Sequence, residues 1–239
     1  MRKIYSLLLF LFVISHNALA SYPWLDSLDS EDDYINSGKR LMDLDYGLNP
    51  LEVSNNQEDI AVIGVHGGRS EGYEWVYPLK TIDKKDRLIL FYRWDDSSCF
   101  QPSALKLDQE ILSLLKEKPV ISKIVLIGHS YGGILLSWFI ENWGKNIPIE
   151  IHTIASPLAG IDRIPFSCDY VVPKKIRKNV QSIQWRTIKS IDNAFKDLAF
   201  DPQLITLEGH VVKQLPKKYR GKRLGHNWSI SYVADEIIF

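Results

Sequence analysis

Ser130 lies in the run Gly128-His129-Ser130-Tyr131-Gly132, between an apolar stretch from Lys123 to Ile127 and a segment where Ile134, Leu135, Trp138 and Phe139 recur at helical spacing. A serine presented on a sharp strand-to-helix turn has a strained backbone and an exposed hydroxyl. Side chains two residues to either side would crowd that turn, so Gly128 and Gly132 supply missing Cβ atoms where space is shortest. The chemistry this suits is nucleophilic attack on a carbonyl carbon. The turn also puts Ser130 at a helix start, where unpaired N–H groups favour negative charge, which makes the N–H of Tyr131 a candidate oxyanion donor.

Two further segments have the residue types that such a nucleophile needs. His66-Gly67-Gly68 directly follows the apolar run from Ile60 to Val65, and its glycines would let backbone N–H groups approach a developing oxyanion; His66 itself reads as structural. Leu224-Gly225-His226-Asn227 precedes the last helical segment and sets an imidazole at a strand-to-helix loop. His210, in Leu207-Glu208-Gly209-His210, is a rival base because it also follows a glycine near a candidate strand end. His129 beside the nucleophile reads as a packing or hydrogen-bonding residue of the elbow, and His152 as a satisfied core residue.

The elements that must position these residues alternate. Strands are expected at Ile60 to Val65, Arg87 to Trp94, Lys123 to Ile127, Ile147 to Ile154, Val180 to Ile188 and within 204–213. Helices are expected at Tyr73 to Ile82, interrupted at Pro78, from Ser103 as N-cap toward Pro119 with Leu105, Leu112 and Leu115 on one face, after the elbow, and from Trp228 to Phe239. Alternation of this kind implies an α/β fold, a mainly parallel sheet covered on both faces, with ligands bound beyond the carboxyl ends of the strands. The irregular stretch Ser156 to Pro173 is the one candidate for a small lid.

The runs VIGVHGG, LIGHSYGG, IASPLAG and LGHNWSI together resemble the α/β-hydrolase superfamily, in its lipase and esterase branch, from about Glu58 to the C-terminus. The resemblance implies an α/β-hydrolase fold with a minimal cap or none. It implies Ser130 as nucleophile, His226 as general base and a later aspartate as the acid, in that chain order. Gly68 and Tyr131 would supply the oxyanion-hole N–H groups. Asp192 holds the family's commonest acid position, shortly after the Val180 to Ile188 strand, with Asp162, Asp197 and Asp201 as alternatives. The activity implied is cleavage of carboxylic esters, of lipids or other acyl chains, through an acyl-enzyme on Ser130 and with no cofactor or metal. Acyl transfer or thioester cleavage would use the same residues, and a non-catalytic binding protein on the same scaffold is the alternative of a different class. Tyr73, Trp75, Tyr77 and Phe100 are candidates to line an apolar acyl site.

The rest of the chain bounds this reading. Arg2 and Lys3 precede an apolar run from Ile4 to Ile14, and Ala18-Leu19-Ala20 has cleavage spacing, so residues 1–20 read as a signal peptide and 21–239 as a single domain, secreted or periplasmic, starting at Ser21. The 29 basic and 29 acidic side chains balance, which offers no field for nucleic acid. Two local basic runs, Lys174 to Lys178 and Lys217 to Arg223, suggest peripheral contact with an anionic membrane surface. In an oxidising compartment Cys99 and Cys168 invite pairing, which would stabilise by about 4 kcal/mol on the chain-entropy model. Oligomeric state is not encoded in any motif.

Overall fold

The computed structural model describes residues 25–54, 57–161 and 168–237. Their centre is a seven-stranded sheet in the order β1-β3-β2-β4-β5-β6-β7. It comprises β1 (Gly47–Pro50), β2 (Ile60–Val65), β3 (Arg87–Arg93), β4 (Lys123–His129), β5 (Ile149–Ile154), β6 (Val180–Arg186) and β7 (Val211–Gln214). All neighbouring pairs are parallel except β1 with β3. Every residue of β2 and β5 is buried, as expected of strands covered on both faces; β2 reads as a continuous apolar run, whereas β5 also buries Glu150, His152 and Thr153.

The helices are α1 (Tyr34–Met42), α2 (Tyr73–Ile82), α3 (Phe100–Glu117), α4 (Tyr131–Asn142) and α5 (Ser229–Glu236). They divide the core into two layers. One places α3 and α4 over Ala61, Ile63, Leu90 and Leu126; the other places α1, α2 and α5 over Val62, Ile89, Val125 and Ile127. Alternate residues of the same strand thus serve opposite layers.

Several expectations need correction. The helix α2 runs through Pro78 without interruption. Helix α3 begins at Phe100 with Cys99 as N-cap, a turn before Ser103, because Pro102 is tolerated in a first turn. Its buried face is Ala104, Leu107, Ile111 and Leu114, while Leu105 is half exposed. The strand expected within 204–213 is the exposed edge strand β7, displaced to 211–214. Among the elements without an expectation are α1, the antiparallel edge β1, and the strands β8 (Lys218–Tyr219) and β9 (Lys222–Arg223), a hairpin turning at Arg220 and Gly221, both at positive φ.

That hairpin holds the second basic run and follows β7, beyond the carboxyl ends of the parallel strands. The first run, Lys174 to Lys178, precedes the start of β6, so the two runs lie at opposite ends of the strands. Cys99 and Cys168 are joined in a disulfide with Cα atoms 5.5 Å apart, tying the start of α3 to the segment that leads into β6. No helix among the described residues is long and apolar enough to cross a membrane. The candidate leader lies outside the described residues, as do Asp162 and the middle of the candidate lid.

Candidate active site

The β4–α4 turn has the geometry its sequence implies. Ser130 adopts φ 52° and ψ −118°, a conformation L-residues avoid, and the surrounding structure over-determines it. Its N–H donates to Ile154 O at 2.9 Å, and its C=O accepts from Gly133 N–H at 3.0 Å. A Cβ on Gly128 would stand 2.8 Å from Gly132 backbone, and one on Gly132 would stand 2.4 Å from Val65 O. Only glycines let α4 start this close to β2. The N–H of Tyr131, first residue of α4, belongs to the helix's unpaired donors.

The loop after β2 lies against this turn. A Cβ on Gly67 would be 3.0 Å from Ser130 Cβ, and one on Gly68 would be 3.7 Å from the Tyr131 ring, so Gly68 and Tyr131 border the same space. His66 fixes the loop rather than reaching into it. Its Nε2 accepts from Trp94 N–H at 3.2 Å and from Arg93 Nη1 at 2.9 Å, so the proton belongs on Nδ1, which donates to Gly67 O at 2.8 Å. Burial, aided by the Arg93 charge, pushes this imidazole down to about 4 and keeps it neutral. Arg69 N–H donates to Asp96, holding the far end of the loop.

His226 is brought to the elbow by the loop between β9 and α5. Its carbonyl accepts from His129 Nε2 at 3.2 Å, and the two rings lie 4.6 Å apart. His129, fully buried, is held well below the usual imidazole range by desolvation and by its neighbour, so it stays a neutral donor. His226 Nδ1 donates to Asp192 Oδ2 at 2.9 Å, and Phe195 packs edge-on against its ring at 5.0 Å. With Nδ1 engaged, Nε2 is left as the working nitrogen.

Asp192 is wholly buried just past the 3-10 turn that follows β6. It accepts from Thr187 Oγ1 at 2.5 Å and from Ala194 N–H at 2.8 Å besides the imidazole. Thr187 is held in turn by Gln203, whose Oε1 accepts its N–H at 2.9 Å and whose Nε2 donates to its C=O at 3.0 Å. A buried carboxylate gripped by several donors is fixed in one orientation, which suits it to orient an imidazole. Thr187 and Gln203 were missed from sequence, and no spacing marks them, since their role comes from a chain return sixteen residues long.

Among the rivals, Asp197 is exposed and Asp201 accepts from Gln203 N–H at 3.0 Å, capping its own turn. His210 pairs with Ser182 at 2.8 Å, away from the elbow, and burial pushes it down to about 4. Of the aromatic candidates for an acyl site, Trp75 and Phe100 are core residues, packed against Phe91 and Tyr170 respectively. Tyr73 and Tyr77 instead line a cleft of mixed polarity that also has Asn227 and Trp228 in its wall.

No protein-family model matches the chain, and no curated protein matches it. Solved structures do. A "putative thioesterase" from Silicibacter sp. TM1040 superposes with TM-score 0.53 at 16% identity, covering 92% of this chain and 91% of that one. An esterase of Pyrococcus furiosus superposes with TM-score 0.51 at 13% identity, covering 76% of this chain and 80% of that one. The chain therefore has the α/β-hydrolase fold.

Proposed function

We propose that the protein is an exported serine hydrolase of carboxylic esters. The observation that carries this reading is the Asp192–His226 hydrogen bond, seated against an elbow whose serine is held at positive φ. In this mechanism His226 Nε2 takes the Ser130 proton as Oγ attacks the ester carbonyl. The N–H groups of Gly68 and Tyr131 stabilise the oxyanion, and Asp192 stabilises the imidazolium. His226 then protonates the departing alcohol, and water enters by the reverse path to release the acid from Ser130. Export is supported by the N-terminal pattern and by the Cys99–Cys168 disulfide, which suits an oxidising compartment.

The direct experiment is turnover of a chain-length series of nitrophenyl esters by wild type and by Ser130→Ala. Hydrolysis that vanishes in a folded Ser130→Ala protein supports the reading, and near-normal turnover refutes it.

A further inference from the structure

A cleft of about 540 Å³ opens between the start of α2, the β8–β9 hairpin and the start of α5. It shares Tyr73, Asn227 and Trp228 with a second hollow, of about 500 Å³, that reaches His226. The position of this groove determines which half of an ester it can hold. His226 gives its proton to the leaving oxygen as the carbon–oxygen bond of the tetrahedral intermediate breaks, while the acyl carbon stays on Ser130 Oγ. The alcohol therefore departs on the His226 side, and a groove continuous with His226 is placed for the alcohol.

The lining indicates what kind of alcohol. Four aromatic rings, Tyr34, Tyr73, Tyr77 and Trp228, stand around it, yet polar groups interrupt them throughout. Asn227 Nδ2 donates to Tyr73 Oη at 2.9 Å, fixing both at the junction with the catalytic hollow. Glu74, only 7% exposed, accepts from Ser70 Oγ through Oε1, whereas its buried Oε2 has no partner among the described residues. Burial raises this carboxyl, so it tends toward the protonated form, which can donate as well as accept.

An acyl chain is a poor occupant, because it would strand these polar groups. A phosphate or other anion fits no better. Arg220 lies over the Tyr77 ring at 4.6 Å and is already paired with Asp235 at 3.1 Å, and Glu31 faces the same cleft as Lys222. No net positive charge is left over. Flat aromatic walls with donors and acceptors between them match a neutral ring bearing many hydroxyls.

We propose that this cleft binds the alcohol half of the substrate and that this alcohol is a sugar or comparable polyol, making the enzyme a deacylase of acylated carbohydrate. The proposal rests on the hydrolase reading for its link to His226. The test is calorimetric titration of the mature Ser130→Ala protein with methyl glycosides of glucose, xylose, galactose and N-acetylglucosamine, and with inositol. Glu74→Met and Tyr34→Ala are titrated in the same Ser130→Ala background. Saturable millimolar binding of at least one of these, weakened about tenfold by either added substitution, is expected. Glu74→Met keeps the side chain's length while removing its polar atoms, so it serves even if Tyr34→Ala disturbs α1. Absence of saturable binding to the whole panel, or binding indifferent to both substitutions, overturns the proposal. Fluorophosphonate labelling of wild-type Ser130, run in parallel, separates the two readings. Labelling without sugar binding rejects the cleft assignment alone, and sugar binding without labelling rejects the hydrolase and with it the leaving-group role.

Discussion

At the scale of single residues, Ser130, His226 and Asp192 differ in how visible they are. Ser130 announces itself because the elbow needs glycines at fixed offsets. His226 is legible from its glycine and the helix that follows. In sequence Asp192 is only one of four candidate aspartates, and what distinguishes it is burial together with donors from Thr187 and Ala194, both set by the fold. Substituting Asp192→Asn should keep the shape but favour the wrong imidazole tautomer, lowering kcat by roughly ten-thousand-fold. Asp201→Asn should change it little. His226→Ala should likewise cost orders of magnitude more than His210→Ala, whose imidazole serves Ser182. Steady-state kinetics on variants checked by circular dichroism measures all four, and the opposite ranking would move the site.

At the scale of elements, the parallel core was readable because β2 and the centre of β4 are apolar runs and β5 places isoleucine at alternate positions, each closed by polar or glycine punctuation. The edges were not. Gly47–Pro50 carries one proline and no apolar alternation, and Val211–Gln214 is exposed along its whole length, so neither has the burial signature that sequence patterns report. The elbow depends on α4 touching β2. A Gly132→Ala methyl would meet Val65 O at 2.4 Å and His66 O at 2.5 Å, both backbone, so α4 must move and take Ser130 with it. A loss of about 1–3 kcal/mol in denaturation is expected, with a large fall in turnover. Gly144→Ala, whose nearest neighbour would be 3.9 Å away, is the control that should leave both unchanged. The disulfide acts between elements too. Reduction should lower stability by about 4 kcal/mol on the chain-entropy model. Two thiols alkylated in denatured, unreduced protein would show instead that the pair is open.

At the scale of the whole molecule, buried ionisable groups couple folding to pH. Glu52 accepts the Ile89 N–H at 2.8 Å where β1 leaves the sheet, and burial raises its carboxyl from 4.5 to about 7. Between those values the folded state keeps a proton that the unfolded chain has released, so this group's contribution to stability falls as pH rises through the window. Glu52→Gln retains an acceptor for Ile89 and removes the titration. Its stability relative to wild type should therefore increase from about pH 4.5 to about pH 7 and level off above, as read from urea midpoints. A flat difference would show that Glu52 is solvated. The sheet and its two helical layers hold Ser130 at the elbow and pair His226 with Asp192 against His129, and the proposed reactivity of Ser130 is the central claim. Incubation of the mature protein with a fluorophosphonate followed by intact-mass and peptide mapping tests it most directly. A single adduct on Ser130, with parallel loss of esterase activity and no adduct in Ser130→Ala, is the predicted result. An unmodified Ser130 in folded protein, or an adduct on another residue, would contradict the account.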